Sequence, residues 1–140
     1  MGVEDYFMRQ INQLGKVLGK IIAELLKLNN PAIAGETIEL INEQLITALK
    51  IDIDSIIKIP LNRFIITFEK DYEANFSNFE DLAEMLYQVA HLYAGQNENN
   101  KAHELFLRAK LLYNFLLSES KTFSLQYNQR IEDIETTINN

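Results

Sequence analysis

The chain has 140 residues, of which 47% are hydrophobic and 24% are charged, and its formal net charge is −7. This is the composition of a globular protein with a core, and it excludes a largely disordered chain. Most of the excess negative charge lies in residues 71–140, which carry 5 basic and 11 acidic side chains. An acidic surface repels nucleic acid and anionic membranes, so we expect neither as a partner.

The absence of cysteine excludes disulfides, thiol catalysis and thiolate metal ligands. The first residues, MGVEDYF, are acidic where a secretory signal peptide is basic. Lysines and a glutamate interrupt the longest apolar stretch, residues 13–28, so it lacks the roughly 20 apolar residues that span a bilayer. We therefore expect a cytoplasmic protein with no cofactor, no metal and no membrane partner.

Helical periodicity dominates the first fifty residues. The first predicted helix carries a continuous apolar stripe with alternating spacings of four and three, formed by Phe7, Ile11, Leu14, Leu18, Ile21, Leu25 and Leu28. Asn30 is a good N-cap and Pro31 suits a first turn, so a second helix is expected to begin there. Its apolar positions are Ile38, Ile41, Leu45, Ile46 and Leu49.

The first helix also carries Gly15, Gly19 and Ala23 at four-residue spacing. A phosphate-binding loop needs four residues between its glycines and a Ser or Thr after the lysine. Here three residues separate the glycines and Ile21 follows Lys20. We therefore favour the alternative, in which the small residues form a groove that lets a neighbouring helix approach closely.

The middle of the chain, residues 51–78, is less regular. The segment IDIDSIIKIP alternates like a strand but is short and without a clear partner, so we interpret it as a packed connector. Pro60 then opens a third helical stretch. Its apolar positions are Leu61, Phe64, Ile65, Phe68 and Tyr72.

The second half contains three more predicted helices. Ser77 and Glu80 have the spacing of a capping box, which predicts a fourth helix that ends near Gly95. A fifth helix is predicted from about Asn100 to Leu117. Ser120 is a candidate cap for a sixth, whose apolar stripe is Phe123, Tyr127, Ile131, Ile134 and Ile138.

Residues 83–114 resemble a tetratricopeptide repeat, a helix–turn–helix of 34 residues. Tyr93 matches the repeat's first helix, and Ala102, Phe106 and Ala109 match its second. Leu86 stands where Trp is usual, Val89 and Ala90 replace the usual Leu-Gly pair, and Asn114 replaces the usual Pro. Asn97 takes the turn position where Gly is common, and asparagine tolerates the left-handed conformation. The alternative is a generic antiparallel helix pair with alanines at the crossing.

The first half resembles a decayed repeat, with Leu14, Gly15 and Leu18 on its first helix and Ile38, Ile41 and Leu45 on its second, although the connection is too long. The opening DYFMRQINQLGKVLGKI, followed by such a repeat, is similar to a family of uncharacterised bacterial proteins with tetratricopeptide-like helices. The resemblance implies a fold but no activity.

These patterns predict an all-α protein of about six helices, an antiparallel tetratricopeptide-like array of helical hairpins with a C-terminal capping helix. We expect a single domain over residues 1–140. Within it, 1–50 form a long N-terminal helical hairpin, 51–78 a connector with a short helix, 79–117 the repeat and 120–138 the capping helix.

The sequence shows no constellation of residues typical of an active site. His91 and His103 lie on different predicted helices, where a surface position is more plausible than a zinc site. Glu80, Asp81 and Glu84 are explained by a helix's first turn, where acidic side chains favour the dipole. Glu132, Asp133 and Glu135 resemble a solvated face. We therefore predict a protein that is not an enzyme.

The function predicted from the sequence is a scaffold or adaptor that binds a protein or peptide. The resemblance implies that Glu84, Tyr87, Gln88 and His91 line the concave face, with Tyr87 and His91 projecting together. Tyr87 and His91 stand where a carboxylate clamp would have Lys and Asn, so no such clamp is expected. The acidic second half favours a basic or neutral segment. Two alternatives remain, a self-association (homodimer) module and an enzyme with an unrecognised site. The last helix or a second subunit could also cover this face.

Overall fold

A computed structural model describes residues 12–28, 30–120 and 124–139. The all-α prediction is confirmed, since these residues form seven α-helices and two 3₁₀ turns and contain no strand. The helices are α1 (Gln13–Lys27), α2 (Ala34–Leu49), α3 (Ile53–Lys58), α4 (Phe64–Tyr72), α5 (Phe76–Gly95), α6 (Asn99–Ser120) and α7 (Leu125–Ile138). The 3₁₀ turns Pro31–Ile33 and Leu61–Arg63 precede α2 and α4.

The additional helix arises from the connector. Asp52 caps α3, because its side-chain oxygen accepts the backbone N–H of Ser55 at 2.7 Å. Ile53 and Ile56, three residues apart, then face the core together, and both are fully buried. The segment that resembles a strand in the sequence therefore contains a six-residue amphipathic helix, with Ile51 and Ile59 outside it.

Asparagine and serine caps fix where the longer helices begin. Asn12 caps α1 with its side-chain oxygen on the N–H of Gly15 at 2.8 Å, so α1 is shorter than the predicted stripe; Phe7 and Ile11 lie outside the described residues. Asn30 caps the turn at Pro31 as predicted. The two predicted caps of the second half are wrong by a few residues.

In the second half, the capping box of α5 is formed by Asn75 and Asn78, not by Ser77 and Glu80. The side-chain oxygen of each asparagine accepts the backbone N–H of the other, which is the reciprocal pattern of a capping box. The cap of α7 is Ser124, whose Oγ accepts the N–H of Tyr127. Ser120 is the last residue of α6, and Phe123 lies outside the described residues.

Helices α5 and α6 form the central antiparallel hairpin. The predicted left-handed residue in their turn is confirmed, since Asn97 has φ 64°. Ala90 and Ala102 are buried between the two helices, which allows close approach. α6 runs three residues beyond the predicted end at Leu117, to Ser120. Helices α1 and α2 pack against each other and against α5, and α7 packs along the other side of the hairpin.

The predicted glycine groove on α1 is wrong. A methyl group at Gly19 would meet nothing within 4 Å, and Ala23 is exposed. Only Gly15 is buried. The helix packs instead through its apolar stripe, which lies beside the small residues and buries Leu14, Leu18, Ile21 and Leu25.

A buried arginine, Arg108, ties the connector to α6. It is 4% exposed, and its guanidinium donates to the carbonyl of Ile59 at 2.8 Å and to the carbonyl and carboxylate of Glu104 at 2.9 and 3.2 Å. It also lies over the ring of Phe64, 5.9 Å from the centroid. The connector therefore sits against the hairpin through a polar anchor within an apolar core.

Candidate functional site

The four predicted binding residues lie together on one face of α5. Glu84, Tyr87, Gln88 and His91 follow each other at spacings of three, one and three residues, which places them on one side of a helix. Helix α7 packs on α6, and its side chains Arg130 and Asp133 reach across to part of this face. Tyr87 is only 7% exposed and Glu84 is half-buried, whereas His91 is exposed. The alternative that the last helix covers the face therefore holds for Glu84 and Tyr87.

Glu84 is the centre of the contact between α5 and α7. Its carboxylate accepts two hydrogen bonds from Arg130 of α7, at 3.1 Å from Nε and 2.9 Å from Nη2. The hydroxyl of Tyr113 on α6 and the amide of Gln88 donate to the same carboxylate, each at 2.8 Å. Burial acts to raise the pKa of Glu84, but these hydrogen bonds outweigh it and hold the pKa below its usual value.

A second contact joins Tyr87 to α7 one turn further along. Its hydroxyl donates to the carboxylate of Asp133, and the guanidinium of Arg130 lies over its ring, 4.3 Å from the centroid. Burial, followed by the carboxylate of Asp133, raises the pKa of Tyr87 to about 12. Tyr87 is therefore a neutral hydrogen-bond donor at physiological pH.

His91 connects this contact to the interior of the hairpin. Its ring packs edge-on against Tyr87 at 4.7 Å and against Phe106 at 4.9 Å between centroids. Its Nε2 lies 3.3 Å from the carboxylate of Asp133. His91 thus has one side in the aromatic cluster and the other in contact with α7 and solvent.

The acidic residues of α5 do not serve the helix dipole as predicted, because α5 begins at Phe76 and they lie beyond its first turn. Glu80 instead accepts a hydrogen bond from the hydroxyl of Tyr127 at the start of α7, and burial and this contact raise the pKa of Tyr127. Asp133, predicted on a solvated face, also faces α5. The α5–α7 seam therefore consists of three pairs, Glu80–Tyr127, Glu84–Arg130 and Tyr87–Asp133.

The uncovered end of the face opens into a pocket of about 190 Å³ between α5 and the junction of α1 and α2. Gln88 and His91 line it, and the rest of the lining is apolar, formed by Leu25, Leu28, Pro31, Ala34, Leu92 and Gly95. The pocket is therefore a mostly apolar recess whose polar groups are an amide and an imidazole. Gln88 and His91 face the recess, and His91 also contacts Asp133 of α7. Glu84 and Tyr87 do not line the recess and are engaged by α7.

Another groove, of about 490 Å³, lies between α1 and α2. Lys16 and Lys20 line one side, and Glu43 and Gln44 the other. The side-chain oxygen of Gln44 is buried there without a hydrogen bond. Its charges are mixed and its lysines are exposed, so the groove presents no set of convergent groups comparable to the α5 face.

The α5 face presents hydrogen-bond donors and acceptors, and those of Tyr87 and Glu84 pair with side chains of α7. Across residues 12–28, 30–120 and 124–139, no group of three or more His, Asp or Glu side chains is arranged to hold a metal ion. His91 and His103 are separate, on α5 and α6. None of the helices in the described part of the chain is long and apolar enough to cross a membrane.

Sequence reasoning missed the residues of α7 that complete the site. Tyr127, Arg130 and Asp133 follow each other at three-residue spacing, which brings them to one side of a helix. Arg130 is the one basic residue of α7, which otherwise carries acidic residues. A single basic residue in an acidic helix indicates an ion pair, and this was the sequence feature that could have identified the contact. Which carboxylate it meets depends on the tertiary packing, and the sequence does not encode that locally.

The chain was also compared with known proteins, and it matches no protein-family model, no curated protein and no solved structure.

Proposed function

We propose that this chain is a non-enzymatic protein- or peptide-binding module whose binding surface is the face of α5. The observation that carries the proposal is the recess of about 190 Å³ beside Gln88 and His91. The recess adjoins the part of the α5 face that binds α7 of the same chain through an ion pair and a hydrogen bond. A shaped apolar recess with a few polar groups at its edge is typical of a site that takes an anchoring side chain.

The chemistry of the recess defines the segment that fits. Its apolar lining accommodates one aliphatic or aromatic side chain, and Gln88 and His91 can bond backbone groups beside it. The protein's net charge of −7 favours a neutral or basic segment over an acidic one. We therefore propose a short neutral or basic peptide with a single apolar anchor as the ligand.

The proposal is tested by a substitution that adds a side chain at the recess. Gly95 lines the recess, and a methyl group added there would meet nothing within 4 Å, so Gly95→Leu adds a bulky side chain at the edge of the recess without a clash at its Cβ. Gly19→Leu is the matched control, because Gly19 is equally open but lies on α1 away from the recess. Peptides selected from a random library on the wild-type protein are then titrated against both variants.

We expect the selected peptides to bind wild type and Gly19→Leu alike, with Kd below about 100 μM, and to lose at least tenfold in affinity on Gly95→Leu. Equal affinity for both variants would place the binding surface elsewhere. Failure to select any peptide with measurable affinity would also count against the proposal.

We further propose that α5 and α6 form a tetratricopeptide-like hairpin and that the protein is cytoplasmic. The support for the repeat is that Leu86, Ala90, Tyr93, Ala102 and Phe106 are all buried, as the repeat register requires. The support for the compartment is the lack of cysteine. A relationship to the family of uncharacterised bacterial proteins with tetratricopeptide-like helices is likewise a hypothesis.

Self-association is the second candidate function. Leu26 of α1 is 77% exposed, and Ile22, four residues earlier, is half-buried, so an apolar strip continues to the surface of α1. Sedimentation equilibrium of wild type and Leu26→Ser tests this. A dimer at about 100 μM that the substitution abolishes would favour self-association, and monomers in both samples would contradict it.

A further inference from the structure

A carboxylate on α7, that of Asp133, lies beside the recess. His91 lines the recess, and its Nε2 is 3.3 Å from Oδ2 of Asp133. A single imidazole ring therefore separates the apolar lining of the recess from an acidic group. The side chains of His91 and Asp133 are 41% and 45% exposed, so a segment bound in the recess can reach the carboxylate from solvent.

Two carboxylates of the α5–α7 seam differ in what neutralises their charge. Glu84 has a permanent cation, because Arg130 donates to it from Nε and Nη2. Asp133 has the hydroxyl of Tyr87, which stays neutral because burial, followed by Asp133 itself, raises the pKa of Tyr87 to about 12. Within the described part of the chain, the one basic side chain in ion-pair contact with Asp133 is His91, which is a cation only when protonated.

The carboxylate of Asp133 also has a free acceptor. Tyr87 and His91 both contact Oδ2, and Oδ1 has no hydrogen-bond partner among residues 12–28, 30–120 and 124–139. An ammonium or guanidinium group forms a charge-assisted hydrogen bond with such an oxygen. The counter-charge that the fold does not supply to Asp133 can therefore come from a ligand.

We propose that Asp133 is the specificity-determining residue of the recess and selects ligands that carry a lysine or arginine beside their apolar anchor. The inference rests on the proposed function, because it names the residue that selects the charge of the segment bound there. The anchor fills the recess, and the basic side chain donates to Asp133 past the ring of His91. In an extended segment, residues two apart lie about 7 Å from each other on the same side, so the basic residue is expected within two positions of the anchor.

The test measures the coupling between Asp133 and the charge of a bound peptide. Peptides selected from a random library on the wild-type protein are made in two forms, one with the basic residue and one with its neutral analogue, acetyl-lysine or citrulline. Asp133→Asn removes the charge and keeps an oxygen that can accept from Tyr87. Glu132→Gln is the matched control, because it removes the same charge from an exposed side chain one position away on α7.

We expect the selected peptides to be enriched in lysine or arginine within two positions of the anchor. Their affinity should fall about fivefold on Asp133→Asn and less than about twofold on Glu132→Gln, since fivefold is the upper end of what an exposed ion pair contributes. The neutral analogues should bind the wild type about fivefold more weakly than the basic peptides. They should also bind wild type and Asp133→Asn alike.

The outcomes separate this inference from the proposed function. Peptides that lose affinity on Gly95→Leu but not on Asp133→Asn would overturn the role of Asp133 and leave the recess as the binding surface. Selected peptides without a basic residue near the anchor would have the same meaning. Peptides that bind Gly95→Leu as tightly as the wild type would refute the proposed function, and this inference with it.

A second variant keeps the inference falsifiable if circular dichroism shows that Asp133→Asn does not fold. His91→Lys retains Asp133 and its bond to Tyr87 and places a permanent cation beside the carboxylate. Because His91 also lines the recess, only the ratio of the affinities of the basic and neutral peptides is compared with that of the wild type. We expect this ratio to fall to about one, and an unchanged ratio would overturn the inference.

Discussion

Replacing Phe106 by alanine probes the interior of the α5–α6 hairpin most sharply. Phe106 is 1% exposed, and its ring packs against His91 at 4.9 Å and Tyr87 at 6.2 Å between centroids. Removing a buried phenylalanine costs about 3–5 kcal/mol. Aromatic pairs add roughly 0.5–1.5 kcal/mol beyond burial, so we expect the upper half of that range. Domains of this size are stable by only about 5–15 kcal/mol, so the variant should be folded but marginal.

The assay is urea unfolding followed by far-UV circular dichroism, with Phe76→Ala as the matched control. Phe76 begins α5 and is 40% exposed, so its loss should cost under about 1 kcal/mol. If Phe106→Ala does not fold, Phe106→Leu, which keeps part of the volume, should fold with a smaller loss. Equal stability of Phe106→Ala and wild type would place Phe106 outside the core and refute the packing of the hairpin.

Three further predictions concern the core, the glycine on α1 and the seam. Gly19→Ala should raise the free energy of unfolding by about 0.5–1 kcal/mol, because the added methyl group is unobstructed; a loss in urea unfolding would mean that a neighbour lies close to α1. Arg108→Met should cost about 1–3 kcal/mol, because it removes the donor to the partly buried carbonyl of Ile59; unchanged stability would show that this anchor is not formed. Because the pKa of Glu84 is lowered in the folded protein, its contribution is present above the usual value of 4.5 and is lost as the pH falls through the folded value. The stability difference between wild type and Glu84→Gln, measured in urea, should therefore shrink as the pH is lowered below 4.5, and a difference independent of pH would contradict the seam.

The sequence was most informative where periodicity and capping act locally. The apolar positions of α2 fall on the buried side at Ile38, Ile41, Leu45 and Leu49, and only Ile46 is largely exposed. The turn of the hairpin was predictable because Asn97 is one of the few residue types that adopt positive φ readily. The helix Ile53–Lys58 was not predicted, because a short amphipathic helix and an alternating strand share several apolar positions.

The candidate site was predictable on one side only. The positions of Glu84, Tyr87, Gln88 and His91 on one face of α5 follow from helical spacing. Their coverage by α7 does not, because it depends on the path of the chain after Ser120 and on which carboxylate Arg130 meets. The glycine groove failed for a related reason: spacing shows which residues share a face but not whether a neighbour lies opposite Gly19.

The pair of Glu84 and Arg130 is the main polar contact between α5 and α7. A double-mutant cycle with Glu84→Gln, Arg130→Met and both together measures their coupling from urea unfolding. Because the side chains of Glu84 and Arg130 are 22% and 29% exposed, we expect a coupling of about 1 kcal/mol, above the lower values typical of exposed pairs. A coupling indistinguishable from zero, with both single variants folded, would show that the two helices do not meet through this pair and would contradict the account.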